Sequence, residues 1–595
     1  MRTVILTVGL VLLAFASAQP LIVGENYAPS TQMGGTIRES SFGDINTLNP
    51  YLTGSATESA VLGMYGGPGT VYRDWLGTRS FRNAEGGFNL YWAKEIEEVR
   101  PEQEFIVTLK EGWKWSDGVE MTADDAIAAF IIHGDPEVES NGFSCSVVGD
   151  EQVEYEKLGT YQYRFSLPKP QVNAIFANDC VNAAGAVPAH IFMPIYEAQG
   201  AEGIKALWGV DTDPSTIISG GPYLLTEFRP GERVVLERNP TFGEFVQDAS
   251  GNPLPGADEW IVTLTADQNA ELALVVTGQV DFYWPTVLDQ VRAVQEAVNN
   301  GSIGGNFYPN LSPSTSTDFI TYNFNSTDTC KSGMFRNQLF RQAMSLMIDR
   351  DALVQAALGG LGFPAIAQTT QAIAPFVPDL PEFEYNPDAG VALLKDIGFT
   401  EMASDGVLTN PETGCRAEFD LQFNSGNNRR GQQALVISQM TADYGVKINP
   451  REVSTEIWQN SILGTEMPRM VDYDAQIWGL SGGDIDNPSS NNVLRIASNL
   501  NSWNKNKDSV EAWEILMDKL TTQMDETLDT GARVDLFKQR AEIMREYLPL
   551  TPLIAQSFHF YENVGNDWPK EALDAVSIQS PYNPGNRREN LTVAP

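Results

Sequence analysis

Residues able to do chemistry gather in two stretches. The first is Gly479-Leu480-Ser481-Gly482-Gly483-Asp484-Ile485-Asp486-Asn487-Pro488, a serine among glycines followed by two carboxylates. Gly479 to Gly483 satisfies the letters of the Gly-x-Ser-x-Gly elbow that presents a hydrolase nucleophile. Such an elbow needs a strand before it and a helix after it, whereas residues 484–492 read as turn around Pro488. His559 is the only histidine downstream that could complete a triad. A secreted serine hydrolase therefore stands as a minor alternative. The second stretch, FIVTLKEGWKWSDGVEMTADDAIAAF at residues 105–130, carries the doubled carboxylate Asp124-Asp125. Its spacing gives that pair a structural task. Phe105, Val107 and Leu109 alternate as in a strand, and Ser116-Asp117-Gly118 makes a turn. Thr122 can cap the following helix, with Asp124 and Asp125 placed against the positive end of its dipole.

Metal chemistry finds little support in the sequence. His133, His190 and His559 are scattered, and Asp484 to Pro488 fails the calcium-loop pattern because proline stands at a ligand position. No metal and no cofactor is expected. The four cysteines allow three pairings. Cys145 with Cys180, and Cys330 with Cys415, is the expected set because it keeps each bridge within one segment of chain. Neither pair has zinc-site or redox spacing, and an exported chain favours disulfides over free thiols.

Export is read from the first residues. Arg2, the apolar run Val4 to Phe15 and the small residues Ala16-Ser17-Ala18 form a cleavable signal peptide, residues 1–18, with the mature chain expected to start at Gln19. No cysteine precedes Cys145, so no lipid anchor is expected near the cleavage point, and the product should be periplasmic or extracellular. The 39 basic and 77 acidic residues, a formal charge of −38, make nucleic acid and anionic membranes poor partners. An apolar content of 42% separates this acidity from disorder and assigns it to a solvated surface.

Strands and helices alternate along the rest of the chain. Residues 223–240 read as a hairpin turning at Pro230-Gly231, and Ala270 to Val276 as a helix stopped by Gly278 before a strand from Val280 to Tyr283. A long helix is expected over Phe335 to Leu358, with Asp349 able to cap its second half. Asn386-Pro387 opens another that ends before Gly398. A helix from Gln432 to Tyr444 leads through Gly445 into a strand from Val446 to Val453. Such alternation indicates an α/β fold.

Four stretches in this order, Gly34-Gly35-Thr36-Ile37-Arg38, GGPYLLTEFRPGERVVLERNP, FRNQLFRQAMSLMIDRDALV and YNPDAGVALLKDIGF, resemble the family 5 extracellular solute-binding proteins of ABC importers. The resemblance implies a type II periplasmic-binding-protein fold, two lobes joined by two hinge strands, with the extra small domain of the peptide binders. On it, residues 19–33 are an exposed leader, and 34–77, 215–315 and 560–595 form the main domain of lobe 1. Residues 78–214 form the small domain and 316–559 form lobe 2, with hinges near Asp318 to Phe324 and Thr551 to Tyr561. Asp484, four residues before Pro488, matches the carboxylate that meets a peptide's terminal ammonium. Around it Gly482, Gly483, Asp486 and Trp478 complete the candidate ligand set. The same residues also suit a plain surface turn.

The expected role is that of a monomeric, non-enzymatic binder that takes peptides to an ABC permease. Oligosaccharides are the alternative ligand, since Trp458, Trp478, Trp503 and Trp513 could stack on sugar rings. Trp478 is the best placed of these, while Trp513 lies on a helical apolar face. Nickel or haem, bound by some family members, is a third option that the scattered histidines weaken.

Overall fold

The computed structural model describes residues 21–23, 33–43, 45–53, 55–71, 90–140, 142–149, 151–248, 251–367, 380–463, 472–481, 493–498, 500–507 and 509–564. Among them the first part of the chain supplies strands β1 (Thr36–Phe42), β2 (Ala93–Arg100) and β3 (Glu104–Leu109), helix α1 (Ala123–Gly134), and strands β4 (Glu154–Gly159) and β5 (Gln162–Ser166). The hairpin β6 (Tyr223–Arg229) and β7 (Arg233–Arg238), strand β8 (Glu259–Thr265), helix α2 (Gln268–Val276) and strand β9 (Phe282–Tyr283) follow. The second part contains β10 (Asn306–Tyr322), α3 (Gln338–Leu346), α4 (Arg350–Leu358), β11 (Gly362–Pro364) and α5 (Pro387–Asp396). It continues with β12 (Glu418–Asn424), α6 (Asn428–Ala442), β13 (Lys447–Val453), α7 (Thr455–Leu463), β14 (Ala475–Ser481), α8 (Ala512–Glu526) and β15 (Leu550–Glu562).

Three sheets organise these elements. One runs β1-β8-β7-β6, with β1 and β8 parallel although more than two hundred residues apart in sequence. A second, β2-β3-β5-β4, is antiparallel throughout. The third runs β9-β15-β10-β14-β12-β13, with β11 also paired to β15. Side-chain burial follows the two-residue strand period: Phe105, Val107 and Leu109 of β3 are each fully buried.

Two large apolar cores, with two smaller clusters beside them, divide the described chain. The first joins residues from Ile37 to Phe282 and takes in Phe560 and Val564, while the second extends from Phe319 to Ile554. Strands β10 and β15 enter both. Tyr308 packs on the first core and Phe319 lies in the second, and β15 contributes Phe560 to one and Leu550 to the other. Their mutual register shifts between Tyr308 and Ser312 and again between Pro313 and Thr317. Such irregularities bend a strand and leave residues out of the ladder.

Local chemistry explains the element ends. Thr122 Oγ1 accepts the Asp124 N–H at 3.2 Å and the Asp125 carboxylate accepts the Thr122 N–H at 2.7 Å, a reciprocal cap that starts α1. Asp125 also receives Trp115 Nε1 at 3.1 Å and Ala189 N at 2.9 Å. Burial pushes its pKa up to about 6 against these donors. The tryptophan-rich stretch is thereby scaffold, as its capping pattern predicts. The stretch expected as one helix over Phe335 to Leu358 instead holds the end of a helix Thr329–Arg336 and then α3 and α4, because Asn337 caps α3 through Leu339 N and Asp349 caps α4 through Ala352 N. Helix α6 starts earlier than expected because the Asn427 side chain caps Arg430 N, and the strand expected from Val280 is confined to β9. Both expected disulfides form, Cys145–Cys180 and Cys330–Cys415.

Candidate functional site

Strand β14 sits beside β10 and carries Trp478, Gly479, Leu480 and Ser481 to the edge of the described chain. Gly482, Gly483, Asp484 and Asp486 lie outside the described residues. Gly479 faces Asp318 of β10 across the ladder, and a Cβ on it would meet Asp318 Oδ1 at 2.6 Å and Thr317 O at 2.9 Å. Glycine at 479 therefore makes room for a carboxylate, a reason separate from any nucleophile elbow.

Asp318 is 5% exposed and anchors a polar cluster. Arg429 Nε lies 2.8 Å from Asp318 Oδ2, Arg429 Nη2 donates to Oδ1 at 3.0 Å, and Gln433 Nε2 donates to Oδ2 at 2.8 Å. Arg429 also donates through Nη1 to Gln556 Oε1 on β15. One guanidinium thus ties α6 to both long strands. The neighbouring Arg430 donates to Asn424 Oδ1 at 2.8 Å and covers the Trp458 ring at 4.7 Å. Burial lowers the Arg430 pKa to about 10, which leaves it charged at neutral pH.

The first turn of α6 reaches the other part of the fold. Asn428 N donates to Gln268 Oε1 at 3.0 Å and Asn428 Nδ2 to Asn269 Oδ1 at 2.9 Å, both acceptors lying at the start of α2. Gly426, at φ +75°, comes so near that an added Cβ would lie 2.6 Å from Ala266 O. A second junction lies elsewhere: Val172 N donates to Asp525 O at 2.7 Å, and Lys169 Nζ meets Glu526 Oε1 at 3.4 Å. These two junctions join residues 169–172 and 266–269 of the first part of the chain to residues 525–526 and 426–428 of the second.

Residues 89–502 match the family model described as bacterial extracellular solute-binding proteins, family 5, middle region. The chain belongs to this family. The solute-binding protein is 30% identical over 580 residues, 95% of its length and 96% of the relative, to a probable ABC transporter-binding protein of Deinococcus radiodurans. Its fold matches the oligopeptide-binding protein AppA of Bacillus subtilis, solved in complex with a nonapeptide, with a TM-score of 0.73 and 21% identity over 95% of this chain and 100% of that one. It also matches the periplasmic binding protein MelB of Agrobacterium fabrum, solved in complex with stachyose, with a TM-score of 0.76 and 19% identity over 97% and 87% of the two chains.

Within this solute-binding protein the candidate aromatic residues take different places. Trp478 is 2% exposed, edge-on to Phe319 with ring centroids 4.9 Å apart. Trp503 is buried with Nε1 on Glu514, and Trp513 stacks on Tyr547 at 5.2 Å. The histidines lie apart. His133 Nδ1 pairs with Ser140 Oγ, His190 Nε2 is 2.8 Å from Asp117, and His559 Nδ1 accepts Asn310 N at 2.9 Å. Burial pushes the His559 pKa down to about 4, so it is neutral, and its Nδ1 is committed to the backbone. No group of three or more metal-ligating side chains occurs among the described residues.

Sequence reasoning missed the Asp318–Arg429–Gln433 cluster. Its signals were present: a lone carboxylate in the apolar strand run Asp318 to Phe324, and a doubled arginine in a chain where acidic residues outnumber basic ones about twofold.

Proposed function

We propose that the protein captures peptides between two closing lobes and hands them to the membrane subunits of an ABC importer. The observation that carries this reading is the fold match to nonapeptide-bound AppA over 95% of this chain and all of that one. Strands β10 and β15 then serve as the hinges, bending where their register shifts. Residues 34–77, 215–315 and 560–595, with the small domain 78–214, form one lobe, and residues 316–559 form the other. A ligand that contacts both lobes favours the closed form by its differential affinity, and the closed form is what a permease reads. The protein acts as an exported, non-lipidated monomer without catalysis.

Asp484 is assigned the ligand's terminal ammonium, with Gly482, Gly483 and Asp486 shaping the approach and Trp478 forming the wall at the end of β14. A carboxylate facing an ammonium in a site closed to water is a little-screened, charge-assisted contact. Asp484→Asn is expected to weaken peptide binding at least tenfold with the fold intact. Calorimetry with a peptide that the wild type binds checks this, and equal affinity would reject the assignment. A second reading, an oligosaccharide ligand, draws on the match to stachyose-bound MelB. Mass spectrometry of small molecules released by denaturing the purified protein separates the two: a ladder of short peptides supports the first, and hexose oligomers support the second.

A further inference from the structure

Four buried polar atoms without a hydrogen-bond partner share one face of the β10–β14 pair: Thr317 Oγ1, Gln476 Oε1, Gln476 Nε2 and Trp478 Nε1. Thr317 and Gln476 are fully buried and Trp478 is 2% exposed. The register sets Thr321 opposite Gln476, Phe319 opposite Trp478 and Thr317 opposite Leu480, so these side chains all project from the same side of the sheet. Gln422 of β12 pairs with Gln476 on that side and donates to Ser461 Oγ of α7 at 3.3 Å. Asp318, with Arg429 bonded to it, belongs to the opposite face by strand alternation, while Arg430 reaches Asn424 at the end of β12 and the Trp458 ring. Every residue named on this face is neutral.

Buried polar groups in native proteins are almost always hydrogen-bonded, and leaving several unpaired in one place is costly. Thr317 and the level of Gln476 are four residues apart along β10, about 13 Å, so one water with its two to four bonds cannot serve all four atoms. The partners come either from several ordered waters or from one extended molecule enclosed there. We infer that this face is the floor of a subsite for an uncharged, hydroxyl- or carboxamide-bearing portion of the ligand. Gln476 offers an NH2 donor group and a carbonyl acceptor, Trp478 a donor, and Thr317 either. Since none of the described residues named on this face is ionised, a charged group would enter without compensation from them and be disfavoured. The inference rests on the solute-capture reading and adds the chemistry that a ligand must bring.

The test uses the full-length mature protein, stripped of cargo by unfolding and refolding with its disulfides intact. Calorimetry compares Gly-Gly-Xaa-Gly-Gly peptides, with Xaa as Asn, Ser, Leu or Asp, and stachyose, against wild type, Gln476→Leu, Thr317→Val and Trp478→Phe. The expected result is a wild-type preference of about tenfold for Asn or Ser over Leu and Asp, lost in the variants, whose ligand-free melting temperatures equal or exceed that of the wild type. Stachyose binding that falls about tenfold in the same variants, with no peptide bound, supports the subsite while replacing the peptide reading. Variants that melt higher yet keep wild-type affinities and preference identify the face as a site for ordered waters and overturn the inference alone. A wild type that takes up none of the probes overturns both.

Discussion

Cutting the contact between the first turns of α2 and α6 probes closure away from the ligand. In the double variant Gln268→Ala/Asn269→Ala, the Asn428 N–H loses its acceptor at 3.0 Å and the Asn428 side chain loses its acceptor at 2.9 Å. The bond from Gln268 to Thr286 at 3.2 Å stays within one lobe on the proposed boundaries, so its loss affects open and closed forms alike. The first junction bond is part-buried and contributes about 1 kcal/mol, while the second is exposed and contributes about 0.5 kcal/mol. Closure should weaken by about 1.5 kcal/mol, which raises the Kd about tenfold. Calorimetry with the identified cargo gives the affinity, and small-angle scattering with and without cargo gives the fraction closed. An unchanged Kd in a correctly folded variant would refute the reasoning, because it would mean that α2 and α6 stay together in the open form.

Other perturbations read the scaffold. Replacing Cys145 and Cys180 together by serine opens a bridge between residues separated by 35 positions, a loop whose closure entropy corresponds to about 4 kcal/mol, and should lower the urea midpoint clearly without changing the ligand preference. Gly479→Ala drives a methyl group toward Asp318 and should cost about 1–3 kcal/mol in urea denaturation; an unchanged midpoint would show that the Asp318 cluster moves aside freely. Burial, together with the neighbouring Glu39 carboxylate, raises the Glu271 pKa to about 8 despite the Phe42 N–H. A raised carboxyl pKa stabilises the fold most below the unfolded value near 4.5, and this contribution fades as pH rises to about 8. Glu271→Gln should therefore flatten the fall in melting temperature across that window, and a parallel fall in both proteins would exclude Glu271 as its source.

Features governed by neighbours in sequence were legible from the residues alone. The alternation of Phe105, Val107 and Leu109, the positive φ of Gly231 in the hairpin turn and the cap of Asn386 on Ala389 N each depend on a few consecutive positions. The break between α3 and α4 was only partly legible, since apolar spacing runs through it and the side chain of Asp349 alone marks where a second half is capped. The pairing of β1 with β8, and of Asp318 with Arg429, joins positions distant in sequence and follows no local rule. Of the candidate ligand residues, Trp478 could be seen in the sequence as lying beside a glycine-rich turn, but its burial against Phe319 could not.

The placement of β15 also governs how the molecule comes into being. This strand pairs with β9 and β10, supplies Phe560 to one core and Leu550 to the other, and stands near the end of the chain. Neither core can be finished until it has been synthesised, and the pairing of residue 306 with 562 closes one of the longest loops available. Folding dominated by contacts this distant is slow. A chain made only as far as residue 549 lacks the strand that both cores share, and the two can close only once β15 is in place.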